Sequence, residues 1–176
     1  MLSVTTFDPE LLGTGFARTR FFAVSGCGFT GGNPNYKPTA MLIMKLTDET
    51  FQPLNNQQVL GKAEECLRQD LAGQFTTPLF SVNVSHIAPL PSFTKNRSVF
   101  VSAEAYAFSK YTSGLHKIKI SEICPVDLSY RDWETAFNTI LDSIELSAKR
   151  ELLEHTGSLE GYGVDWLTFT CMDTYD

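Results

Sequence analysis

A chain of 176 residues has the length of one ordinary domain, enough to remove ~70% of its unfolded surface from water without staples. Apolar residues make up 43% of it, 13 Phe among them, and charged residues 19%, which excludes a disordered chain. A formal net charge of −6 excludes a protein built to coat duplex nucleic acid, since that binding draws on clustered Lys and Arg.

The opening stretch, MLSVTTFDPELLGTG, reads as irregular and carries neither a basic leader nor an apolar run of signal-peptide length. Nothing downstream approaches the ~18 apolar residues of a membrane span, so the expectation is a cytoplasmic chain with no membrane partner. FARTRFFAV, residues 16–24, reads as a strand with Arg18 and Arg20 on one face. The stretch SGCGFTGGNPNYKP, residues 25–38, reads as a long decorated loop leading to TAMLIMKLT, residues 39–47. That second strand is almost continuously apolar, which predicts cover on both faces.

A first helix is expected over about residues 56–72, with Asn55 or Asn56 as cap and Val59, Ala63, Cys66, Leu67 and Leu71 at helical spacing. Gly73 stands where a left-handed terminator belongs. Within this helix Gln58 to Ala63 resembles the loose Q/R-x-x-G-x-G/A pattern with which acetyltransferases of the large acyl-CoA family hold pyrophosphate. Those enzymes place several helices and strands ahead of the pattern, and the chain before Gln58 is too short for them.

LFSVNVSHIA, residues 79–88, alternates Phe80, Val82, Val84 and His86 on one face, predicting a strand with His86 toward the core. Residues 97–109 and 115–121 are expected to form an antiparallel hairpin through KYTSG, where Gly114 can take a positive φ. The small residues Ala103, Ala105 and Ala107 mark a face on which something packs closely. A long helix follows over about 130–156, capped by Ser129 and ended by Gly157, with Trp133, Phe137, Ile140, Leu141, Ile144, Ala148 and Leu152 along one stripe. VDWLTFTCMD, residues 164–173, is the last strand.

The sequence shows no internal repeat and no linker. It predicts one α+β domain over residues 1–176, a two-layer domain in which a mostly antiparallel sheet of about six strands packs on two helices.

Chemistry is sparse in this pattern. The cysteines Cys27, Cys66, Cys124 and Cys171 are widely spaced, form no C-x-x-C pair and have no His at metal-ligand spacing, so neither zinc nor a disulfide framework is expected. No metal and no cofactor is expected. The Gly26–Gly32 stretch lacks the Gly-Lys-Ser/Thr of a P-loop and does not lead into a helix, leaving only a nest of amides near Lys37 as an anion-binding reading. Cys27 and His86 are the one conceivable nucleophile and base, and no local signature joins them. Lys110, Tyr111, His116, Lys117 and Lys119 interleave charge and rings as single-stranded nucleic acid requires, although lysines on an exposed hairpin also deter aggregation.

Two functions are expected from this. The first is a non-enzymatic binding protein with no catalytic residue, an adaptor or inhibitor of the kind common among accessory genes of mobile elements. It would recognise another macromolecule, most simply a protein, through Phe29, Asn33, Asn35, Tyr36 and Lys37 of one loop and Phe93 and Lys95 of another. The second is a small-molecule or nucleotide-binding domain, with or without catalysis by Cys27 and His86 or the Gly26–Gly32 stretch.

Overall fold

The computed structural model describes residues 6–7, 17–31, 37–49, 54–74, 79–91, 97–126 and 132–173. The chain divides into two compact units, Val4–Ser92 and Phe93–Asp176, each with its own sheet and helix.

In the first unit, β1 (Thr6–Phe7), β2 (Ala17–Thr30), β3 (Thr39–Glu49) and β4 (Leu79–Leu90) form a sheet in the order β1-β3-β2-β4. The central strand β2 pairs antiparallel with both neighbours, and β1 runs parallel along the outer edge of β3. Helix α1 (Asn56–Gln74) buries Val59, Ala63, Leu67 and Leu71 against Phe22, Val24, Leu42, Met44 and Leu46. The other face is buried too, at Ala23, Ser25, Met41 and Ile43, so the apolar run of β3 is covered on both sides as its composition requires. Asn55 starts α1 with a reciprocal box: Gln58 N–H donates to Asn55 Oδ1 and Asn55 N–H to Gln58 Oε1, both 2.9 Å. Gly73 does not terminate this helix, which runs through Gln74.

In the second unit, β5 (Arg97–Phe108), β6 (Leu115–Val126) and β7 (Gly163–Asp173) form an antiparallel sheet in the order β6-β5-β7. Helix α2 (Trp133–Thr156) lies on the face carrying Val99, Val101, Ala103, Ala105 and Ala107, with Phe137 4.8 Å from Phe169 between ring centroids. The cap is Asp132, whose carboxylate accepts from Thr135 N–H at 2.8 Å, so the helix begins at Trp133, where its apolar stripe begins and three residues later than a cap at Ser129, which lies outside the described residues, would place it. Gly157 ends it in the left-handed conformation, φ 67°, its N–H donating to Leu153 O at 2.9 Å. The hairpin tip is tied to this end: Lys110 N–H donates to Thr156 O at 2.9 Å and Phe108 N–H to Glu160 O at 2.8 Å.

One six-stranded sheet is therefore replaced by two separate sheets, each an α+β layer pair. The two units repeat one plan that the sequence hides. In each, a central strand forms a hairpin with the next strand, a helix follows, and a third strand returns to the opposite side of the first. The correspondence extends to residues: Val24-Ser25-Gly26-Cys27-Gly28-Phe29 of β2 answers Val101-Ser102-Ala103-Glu104-Ala105-Tyr106 of β5. Both central strands slip register against their third strand at the same place, Ser25/Gly26 in one and Ser102/Ala103 in the other. Both place a buried hydroxyl there, Ser25 and Ser102.

Candidate functional site

The glycine-rich stretch divides in two. Gly26 to Thr30 continue the central strand β2 and are not a loop, which removes the nest of amides at its first half: Gly26 pairs with Ala40 on one side and Val84 on the other. Its glycines are where they are because of β4 and α1. A Cβ on Gly26 would strike the Asn83 carbonyl oxygen and stand 2.5 Å from Leu67 Cδ2, and one on Gly28 would stand 2.7 Å from Leu79 Cδ2 and 3.1 Å from Leu71 Cδ1. The pattern that resembled a ligand loop is a seat for a helix.

His86 does not face the core beside Val82 and Val84. The slip at Ser25/Gly26 leaves Ser85 as an extra residue, so His86 falls opposite Ser25 while Val84 falls opposite Gly26, on the other face. Cys27 lies opposite Asn83 on the same face as Ser25, so Cys27 and His86 are diagonal neighbours on adjacent strands. Both side chains are half-buried. Ser85 Oγ donates to Ser25 O at 3.1 Å, tying the bulge to the central strand. The structure thus brings the two candidates for nucleophile and base to one patch.

Of the residues expected to bind a partner, Phe29 and Lys37 meet, the ammonium lying 5.4 Å from the ring centroid. Phe29 is half-buried and Lys37 exposed. Asn33, Asn35, Tyr36, Phe93 and Lys95 lie outside the described residues. In the hairpin group, Tyr111 is 73% exposed, and the ring of His116 stacks on that of His155 at 5.7 Å. Lys117 pairs with Glu104 at 3.7 Å.

The thiols are dispersed. Burial, reinforced by Glu65, pushes Cys66 up to about 11 and leaves it protonated at neutral pH. Burial and then Glu122 raise Cys124. Among the described residues, no group of three His, Cys, Asp or Glu stands close enough to hold a metal ion.

Of the outer face of the second sheet, the face turned away from α2, sequence reasoning singled out only Lys117 and Lys119. Phe100, Ser102, Tyr106 and Phe108 of β5 share it with the odd-numbered residues of β6 and with Thr168, Thr170 and Met172 of β7. Ile123 is 61% exposed there and Met172 39%, and Phe108 and Leu115 are exposed at its far end. The position of β3 that answers Ile123 is Ile43, which is 0% exposed. The signal was present in the alternation K-I-K-I-S-E-I, residues 117–123: Ile123 has the parity of the two lysines, an apolar residue at a solvent-face position.

Beside this face, at the outer edge of β6, a cleft of about 550 Å³ runs along α2. Lys119, Ser121 and Glu122 line one wall and Ser147, Arg150, Glu151, Glu154 and His155 the other. Charges of both signs meet in it, and Ser143 Oγ donates to Glu122 Oε2 at 3.5 Å.

The chain matches no family model, no curated protein and no solved structure with which it was compared.

Proposed function

We propose that this chain is a non-enzymatic binding protein, an adaptor or inhibitor, that recognises another macromolecule, with the outer face of its second sheet as one contact surface and residues 29–37 and 93–95 as another. The observation that carries this reading is the contrast between Ile43 and Ile123. The same place in the same plan is sealed in one unit and open in the other, and its open version gathers Ile123, Met172 and half-buried Phe100 on adjoining strands. Apolar side chains grouped on a sheet face mark a surface that another molecule covers.

The test is recovery of a partner by the tagged chain from its native host, beside an Ile123→Lys, Met172→Lys double variant. A partner held in fixed ratio by the native chain and lost by the variant, at an unchanged melting temperature, is the expected result. An identical set of bound proteins from both would overturn the reading.

A second reading, a small-molecule or nucleotide site, is favoured by one observation: Cys27 and His86 share a patch around the buried Ser25. A nucleotide and acyl-CoA panel tests it, since a ligand at a hundred times its Kd stabilises by about 2.7 kcal/mol and raises the melting temperature. Cys27→Ser and His86→Ala should each abolish that rise under this reading and leave partner recovery intact under the first.

A further inference from the structure

On the outer face of the second sheet the charged and the apolar side chains stand in separate rows, which the register fixes. Lys119 of β6, Glu104 of β5 and Asp165 of β7 form one row across the three strands. Ile123, Phe100 and Thr170 form another, four residues further along β6, and beyond it Pro125 and Met172 flank Ser98. Among the described residues of this face the one other charged side chain is Lys117, which pairs with Glu104 at 3.7 Å. Cations therefore lie on β6 and carboxylates on β5 and β7. We propose that a second copy of this chain docks on this face, sheet against sheet, about a two-fold axis that runs along the strands and sets β6 of each copy over β7 of the other. This rests on the reading of the face as a contact surface and names what covers it.

Aligned sheets meet their own copy about one of two axes in the plane between them, and the rows decide which. An axis across the strands lays β6 over β6, so no placement of it brings Lys119 before a carboxylate, and one centred on the Ser121–Ser102 pair drives the charged row into the apolar one. An axis along the strands keeps each row over itself and exchanges the outer strands. Lys119 of each copy then faces Asp165 of the other, Phe100 meets Phe100, Met172 meets Pro125, and each central Glu104 keeps its own Lys117. Opposite charges and apolar rows come together under the same operation, which is what a self-complementary contact requires.

The size of the face sets the strength of the contact. Its strands have 12, 12 and 11 residues. At about 3.4 Å per residue and about 4.8 Å between strands they offer about 550 Å². Two copies then cover about 1,100 Å², the low end for a specific contact, so the dimer forms and dissociates reversibly. The cover falls where it is needed, over Ile123 and Met172, which are 61% and 39% exposed in the single chain.

The experiment is sedimentation of the full chain from micromolar to millimolar concentration. The native chain should pass from monomer to dimer over that range. Lys119→Asp and Asp165→Lys should each weaken the dimer about tenfold, because each sets like charges together at both ends of the row. An equimolar mixture of these two variants should associate about as tightly as the native chain, since every contact between unlike copies again joins opposite charges. Damage to the fold by either substitution would not be undone by mixing. Ile123→Lys with Met172→Lys should abolish the dimer at an unchanged melting temperature. A native chain that stays monomeric at millimolar concentration overturns the proposal, as does a dimer that this last variant leaves intact or a mixture that associates no more tightly than its components. If the native chain is monomeric while the tagged chain still holds a partner that Ile123→Lys with Met172→Lys releases, the second copy falls and the binding reading stands. A dimer with the expected charge rescue and no other protein recovered upholds the second copy and removes the adaptor reading.

Discussion

The first unit lays glycine under its helix where the second lays alanine. Gly26 and Gly28 lie against Leu67 and Leu71 of α1, whereas the corresponding Ala103 and Ala105 lie at 1% and 0% exposure on the face that α2 covers. The rest of the contrast runs the same way. In the first unit both sheet faces are buried and the edge of β3 carries β1; in the second the outer face shows Ile123 and Met172 and the edge of β6 is bare among the described residues. The two units thus share a strand order and differ in an added strand on β3 and in the exposure of the position held by Ile43 in one and Ile123 in the other.

The largest effect expected on this comparison comes from the helix core of the open unit. Phe137 is fully buried against Phe169, so Phe137→Ala should cost about 3–5 kcal/mol in urea unfolding. An unchanged midpoint would mean that α2 is not what holds the second sheet together.

Next in size is the glycine seat of the closed unit. Gly26→Ala drives a methyl group into the backbone oxygen of Asn83, which cannot turn aside, and should cost at the top of the usual overpacking range, about 3 kcal/mol. Gly28→Ala meets only the ends of the Leu79 and Leu71 side chains, which can rotate, and should cost less than about 1 kcal/mol. Ala103→Gly in the open unit removes a methyl group without a clash and should cost about 1 kcal/mol through backbone entropy and lost contact. Equal losses at Gly26 and Gly28 would show that α1 can lift from its sheet, and that the two units do not differ in how tightly they close.

These differences explain what could be read in advance. Strong local signals were legible: the helical stripe from Trp133 to Leu152, the capping asparagine before α1, the hairpin glycine Gly114, and the all-apolar run of β3. What was not legible depends on pairing between distant segments. Nothing local announces the slip at Ser25/Gly26 that turns His86 away from Val84, nor that Gly26 and Gly28 serve Leu67 and Leu71 some forty residues later. The repeat was hidden for the same reason, since V-S-G-C-G-F and V-S-A-E-A-Y share only a pattern of sizes until their identical strand order is known. Two separate sheets could not be told from one, because strand number does not say which strands are neighbours. Of the expected binding residues, only Phe29 and Lys37 are placed, and the sequence had no means of seeing that the ring belongs to a strand and the ammonium stacks on it.

The smallest expected effect separates the two helices by pH. Both begin on a side chain that accepts a backbone N–H, but α1 uses the amide of Asn55, which does not titrate, and α2 uses the carboxylate of Asp132. Each cap replaced by alanine should cost about 1 kcal/mol at neutral pH. Acid distinguishes them. The N–H of Thr135 favours the ionised carboxylate and lowers the Asp132 pKa from its ordinary 3.8. A carboxyl group with a depressed pKa in the folded chain adds stability that is complete above the unfolded value and is lost as pH falls through the folded one. The cost of Asp132→Ala should therefore shrink as the pH drops below about 4, while the cost of Asn55→Ala stays constant over the same range. Asp132→Asn keeps an acceptor at every pH and should remove this part of the acid sensitivity at little cost at neutral pH. Urea midpoints of the three variants, followed from neutral pH into acid, give the answer: parallel curves for Asp132→Ala and Asn55→Ala would show that the charge of Asp132 contributes nothing to the start of α2.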